Sequence, residues 1–175
     1  MSIDLTGKTA LITGASRGIG EAAARIMADC GANVVLAARS TSDCERIAAE
    51  IGDRALAVAC DVARYADVDS AVSKAVSHFG SLDILVNNAG LIDPIARIED
   101  SDPDAWDMVV DVNFKGVYHG LRAAIPVMKQ QGGGVIINIS SGAATGALEG
   151  WSHYCATKAA VLSLTRCAHK ESASD

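Results

Sequence analysis

Thr9-Ala10-Leu11-Ile12-Thr13-Gly14-Ala15-Ser16-Arg17-Gly18-Ile19-Gly20 passes from a β-rich apolar run, through a glycine-rich turn, into a segment of helical spacing. A strand that ends in such a turn and feeds a helix at once aims backbone N–H groups, at the positive end of the helix dipole, into the space above the strand. That space suits a phosphate-sized anion. Glycine belongs in the turn because a side chain would block close approach of a pyrophosphate, and because positive φ is inexpensive only for glycine.

Outward from this turn, short apolar runs at residues 33–37, 55–60, 84–86 and 135–139 read as further strands, each expected to be buried on both faces. Helical spacing covers residues 19–28, 42–51, 66–79, one long stretch over 104–130, and 154–169. This alternation predicts an α/β fold, a doubly wound parallel sheet with strand order 3-2-1-4-5 and helices on both faces. The ligand crevice is then expected between strands 1 and 4. Gly132-Gly133-Gly134 reads as a tight helix-to-strand turn, and no linker or repeat divides residues 1–175, so a single domain is expected.

The chain has 175 residues, half of them hydrophobic (50%) and 21% charged, with a formal net charge of −6. Lysines and arginines are scattered without a basic run, which argues against nucleic acid or an anionic membrane as partner and in favour of a small molecule. Five cysteines, Cys30, Cys44, Cys60, Cys155 and Cys167, form no C-x-x-C pair and no zinc-like cluster. A reducing cytoplasm and no metal site are expected. No apolar run approaches a membrane span, and no signal peptide is evident at Met1 to Lys8.

Gly14-Ala15-Ser16-Arg17-Gly18 also matches the G-x-S-x-G nucleophile elbow of hydrolases. Against that reading, an elbow has no use for Gly20, and His78, His119, His153 and His169 read as helix-surface or partly buried residues rather than as a base for Ser16. Taken as T-G-x-x-x-G-x-G, the turn resembles the short-chain dehydrogenase/reductase family, and further family marks follow in order. Asp61, in Cys60-Asp61-Val62, matches the acid that bonds the adenine amino group. Asn87-Asn88-Ala89-Gly90 matches the family's N-N-A-G, and Asn113 matches its active-site helix asparagine. The resemblance implies a Rossmann-type dinucleotide fold, with Gly14, Ser16, Arg17, Gly18, Ile19, Gly20, Arg39, Asp61, Val62, Asn87, Ala89, Gly90, Tyr154 and Lys158 at the cofactor.

The end of strand 2 approaches the adenosine ribose in such folds, where an acid would accept from both ribose hydroxyls and repel a 2′-phosphate. Leu36-Ala37-Ala38-Arg39 offers none. Arg39 and Arg17 could instead pair with a 2′-phosphate, so NADP(H) is the expected cofactor.

Tyr154 and Lys158, four residues apart on a predicted helix, share one face about one turn apart. A phenol titrates near pH ~10, and a neighbouring ammonium would favour its ionised form. Ser141 closes strand 5 and Ser140 adjoins it; alternation points the two to opposite sides, and the family's spacing favours Ser141. By resemblance, Ser141 hydrogen-bonds the substrate oxygen, Tyr154 gives or takes its proton, Lys158 assists the tyrosine and holds the nicotinamide ribose, and Asn113 supports a proton-relay water. The segments around Ser141 and Tyr154 look somewhat like the sepiapterin- and benzil-reductase branch, and Trp151 could stack on a flat substrate or simply pack.

The implied activity is hydride transfer between NADP(H) and a small carbonyl or alcohol, in a homodimer or homotetramer. The family continues beyond the point matching Asp175, so the chain is expected to lack the last strands, with strand 5 left as a sheet edge. The alternative is a catalytically impaired nucleotide-binding or dimerising relative.

Overall fold

The computed structural model describes residues 3–172. Five parallel strands, β1 (Thr9–Thr13), β2 (Asn33–Ala38), β3 (Ala55–Ala59), β4 (Ile84–Asn87) and β5 (Val135–Asn138), form one sheet in the order β3-β2-β1-β4-β5. Register is continuous across the centre: Leu11 lies beside Val35 on one side and beside Leu85 on the other. The reversal of strand order between β1 and β4 leaves the carboxyl ends of these strands open as a crevice, as the alternating pattern predicts.

Side-chain alternation along β1 builds two cores. Leu11, with Val35, Val58 and Leu85, faces α3 (Tyr65–Phe79) and α5 (Gly116–Gln130) through Val68, Val72, Ala124 and Met128. Ala10 and Ile12, with Val34, Leu36 and Val86, face α1 (Gly18–Asp29) and α2 (Thr41–Ile51) through Ala24, Ala28, Cys44 and Ile47. The last helix, α6 (Ser152–Ser172), packs on α5 where Val161 meets Val117 and Leu121.

Three expectations need correction. The stretch 104–130 is not one helix: α4 (Pro103–Val110), started by Asp102 capping Ala105 N–H, runs into a wider π turn at Asp111–Lys115 before α5 begins. Strand β5 is not buried on both faces, because Val135 and Ile137 are 57% and 40% exposed while Ile136 packs inward. It stops at Asn138, so Ser141 lies beyond the strand and opens a short 3-10 turn, Gly142–Ala144. The glycine triplet behaves as expected: Gly132 and Gly133 have φ of 93° and 143°, and Gly134 sits against Met128. No helix among the described residues is long and apolar enough to cross a membrane.

Candidate active site

The glycine turn is shaped by contact as well as by dihedral angle. Gly14 has φ 64°, and a Cβ there would lie 2.8 Å from Ala89 Cα; a Cβ on Gly20 would lie 2.3 Å from Gly14 O. Gly18, with φ 60°, has open space where its Cβ would be, on the crevice side. Two polar side chains lock the turn to the end of β4. Thr13 Oγ1 accepts from the N–H groups of Asn88 and Ala89, and Asn88 Nδ2 donates to Thr13 O at 2.9 Å and Gly14 O at 3.2 Å.

Above this seam lies a crevice of about 740 Å³ lined by residues from every loop at the carboxyl edge of β1 to β4. Gly14, Ser16, Arg17, Gly18, Ile19, Arg39, Asp61, Val62, Ala89 and Gly90 all line it. Arg17 and Arg39 are exposed and in no ion pair among the described residues. The nearby acid Asp43 receives a hydrogen bond from Ser40 Oγ at 2.6 Å. Gly20, Tyr154 and Lys158 of the expected set are not among the crevice's lining residues, and neither is Asn87. Its side chain is 3% exposed and donates to Asn138 Oδ1 on the neighbouring strand, so it braces β4 against β5 and does not open into the crevice. Asn88, within the N-N-A-G motif though not among the expected cofactor residues, holds the turn.

Beyond Gly90 the crevice meets the catalytic candidates. A Cβ at Gly90 would stand 3.4 Å from Asn113 Oδ1 and 3.8 Å from Lys158 Nζ. Asn113, fully buried in the π turn, bonds both main-chain groups of Leu91: Leu91 N–H donates to its Oδ1 at 2.7 Å, and its Nδ2 donates to Leu91 O at 2.8 Å. Lys158 is 4% exposed, donates from Nζ to Ile139 O at 2.7 Å, and lies 5.6 Å from the centre of the Tyr154 ring. Burial lowers its pKa from the usual lysine value, since no carboxylate balances the ammonium.

Both serines lie past the end of β5, so strand alternation does not set their directions; their hydrogen bonds tell them apart. Ser140 Oγ donates to Lys158 O at 3.3 Å, whereas Ser141 Oγ accepts from Ala143 N–H at 3.2 Å and has no acceptor for its own proton among the described residues. Trp151 meets Tyr154 edge-on at 5.6 Å, which is a packing contact. Among the described residues no histidine is bonded to Ser16; His119 bonds Val62 O and His153 bonds Ile92 O. His153 also departs from expectation, being 1% exposed and not at the surface. A second cavity of about 380 Å³, between α5, β5 and α6, contains none of the predicted site residues.

The pattern of the family described as short chain dehydrogenase matches residues 8–175. The chain belongs to the short-chain dehydrogenase family. An uncharacterized oxidoreductase of Staphylococcus saprophyticus is 38% identical over 167 residues, 95% of this chain and 68% of that protein. Another, from Staphylococcus aureus, is 39% identical over 168 residues, 95% of this chain and 72% of the relative. Among solved structures, the 3-ketoacyl-(acyl-carrier-protein) reductase from Brucella melitensis, crystallised with NADH, is 45% identical with a TM-score of 0.92, covering 96% of this chain and 71% of the reductase. The sheet order and the crevice at its carboxyl edge are those of a Rossmann-type short-chain dehydrogenase.

Proposed function

We propose that this protein is an NADP(H)-dependent oxidoreductase of small carbonyl or alcohol substrates, with Tyr154 as the group that gives or takes the substrate proton. The observation that carries the reading is the buried Lys158, held by Ile139 O and set beside the Tyr154 ring on the same helix face. A buried lysine without a carboxylate is costly to keep, and groups perturbed in this way cluster at functional sites; here its neighbour is a phenol at the ligand edge of the sheet.

The dinucleotide fits the residues present: Gly18 leaves open space beside the α1 terminus, and Asp61 also lines the crevice. Arg17 and Arg39, both on the crevice wall and in no ion pair among the described residues, favour a 2′-phosphate. When bound, the nicotinamide supplies or accepts the hydride. In that setting Ser141, whose hydroxyl proton is free to donate, holds the substrate oxygen. Tyr154 passes the proton, and Lys158 presents an ammonium to the phenol and the ribose. Asn113, spent on Leu91, fixes the loop that floors the site. We further propose assembly as a homodimer or homotetramer in the cytoplasm, with Met108 and Tyr118, 54% and 48% exposed on α4 and α5, at a subunit contact.

Two measurements test this. Tyr154→Phe should abolish carbonyl-dependent NADPH oxidation while NADPH still quenches protein fluorescence; normal turnover in that variant would refute the mechanism. In parallel titrations NADPH should bind more tightly than NADH, with the gap closing in Arg39→Ala; equal affinity in the wild type would refute the NADP(H) assignment.

A further inference from the structure

Tyr154 is the third residue of α6, in the part of a helix where the first N–H groups lack intrahelical partners and the chain frays unless tied. Its neighbour His153 is 1% exposed, and its Nε2 lies 2.6 Å from the carbonyl oxygen of Ile92. A carbonyl oxygen only accepts, so Nε2 carries a proton and donates. Ile92 directly follows Leu91, the residue that Asn113 grips at both its N–H and its C=O. Two buried side chains from two different elements, the π turn and α6, therefore hold consecutive residues of one loop.

The same loop and the segment leading into α6 are joined further along. Ala96 N–H donates to Gly150 O at 3.0 Å, Arg97 pairs with Glu149, and a Cβ on Gly150 would lie 3.3 Å from Ile95 Cγ2. Of these links, the Arg97–Glu149 pair is exposed and weak. Among the described residues, the His153 bond alone is made by a buried side chain on the turn that carries Tyr154; the other side-chain tie there, Trp106 Nε1 donating to Ser152 Oγ at 3.5 Å, is long and half-buried. Asn113 is linked to that turn more loosely, through Thr157 Oγ1 at 3.4 Å.

We infer that His153 is the positioning residue of the site: its bond to the Ile92 carbonyl sets the first turn of α6, and with it the Tyr154 hydroxyl, against the loop that follows the N-N-A-G segment. The inference rests on the proton-transfer role proposed for Tyr154. His153 itself does not touch substrate. Small misplacements of a reacting group cost up to about a hundredfold in rate, so the effect belongs in kcat and leaves the distant dinucleotide crevice alone.

The test compares His153→Phe, His153→Asn and His153→Gln. Phenylalanine keeps bulk without a donor, asparagine is too short to reach Ile92 O, and glutamine can place an amide N–H near the position of Nε2. The protein has three tyrosines, so fluorine NMR of protein labelled with 3-fluorotyrosine gives a resonance for Tyr154, identified by its loss in Tyr154→Phe. In the Phe and Asn variants that resonance should shift or broaden while those of Tyr65 and Tyr118 hold. The kcat for 2,3-butanedione should fall about ten- to a hundredfold with NADPH affinity unchanged, and Gln should restore both. If the Phe variant does not fold, the Asn and Gln pair decides. A Tyr154 resonance unmoved in Asn, or Gln as defective as Asn, overturns the inference. Full turnover in Tyr154→Phe would instead overturn the functional reading, and the resonance would still report on the clamp.

Discussion

At Gly120 an added methyl group has nowhere to go. A Cβ there would stand 2.2 Å from Asn87 Oδ1, an oxygen already buried without a hydrogen-bond partner among the described residues. Because Asn87 is committed to Asn138, it cannot swing aside without breaking the brace between β4 and β5. Gly120→Ala should lower stability by about 1–3 kcal/mol, the usual cost of overpacking, seen as a lower urea midpoint at constant slope. The cysteines differ from one another in the same local way. Burial pushes the Cys44 thiol up to about 11 and Cys60 up to about 12, whereas Cys167 is exposed. A disulfide reagent at neutral pH should therefore modify Cys167 rapidly and leave Cys44 and Cys60 intact until the protein unfolds; fast labelling of Cys60 would contradict its placement. Neither the Gly120 contact nor the depth of His153 could be read from the chain. Both depend on which residue of a distant element arrives opposite, and a histidine in a first helical turn looks like a surface residue until Ile92 is in place.

Among the elements, the π turn at Asp111–Lys115 is where sequence and structure part most clearly. Apolar spacing runs through it without a break and no proline interrupts it, so periodicity alone extends one helix over 104–130, and Gly116 at its end reads as an ordinary helix glycine. What it does for the site is visible only in three dimensions: it seats Asn113 against Leu91. Asn113→Ala would leave the Leu91 N–H and C=O without their partner in a half-buried loop, and should cost about 1–2 kcal/mol of unfolding free energy besides impairing turnover. Asn113→Ala with unchanged stability would show that the Leu91 clamp is not needed. The glycine turn, by contrast, was legible as a strand-turn-helix with glycines in place, though the contacts that demand them at Gly14, with Ala89 and Asn88, come from the end of β4 and were not. The N-N-A-G segment was legible as a motif but not residue by residue. Strand β4 continues to Asn87, one residue past its apolar run, which puts Asn87 inside the sheet and Asn88 above it.

Across the whole molecule, the alternation of strands and helices was enough to give the sheet order, since crossover handedness leaves few alternatives. The lower edge of that sheet is tied at Asp83, which receives hydrogen bonds from Ser81 Oγ, Thr9 N–H and Lys8 Nζ and whose own main chain joins β1 to β5. Partial burial pulls its pKa up, but these donors outweigh it and hold the carboxyl below the usual aspartate range. A depressed folded pKa contributes stability above the unfolded value and loses it as pH falls through the folded one. Asp83→Asn should thus be less stable than wild type at pH 7, by about 1–2 kcal/mol, and the difference should shrink as pH drops into the acid range; a gap that widens there would reverse the assignment. The sheet also divides the interior so that Ile47 and Val72 belong to separate apolar layers. Energetically the two layers are strangers: the losses from Ile47→Val and Val72→Ala should add to within about 0.5 kcal/mol, so one layer can vary its packing without the other registering the change.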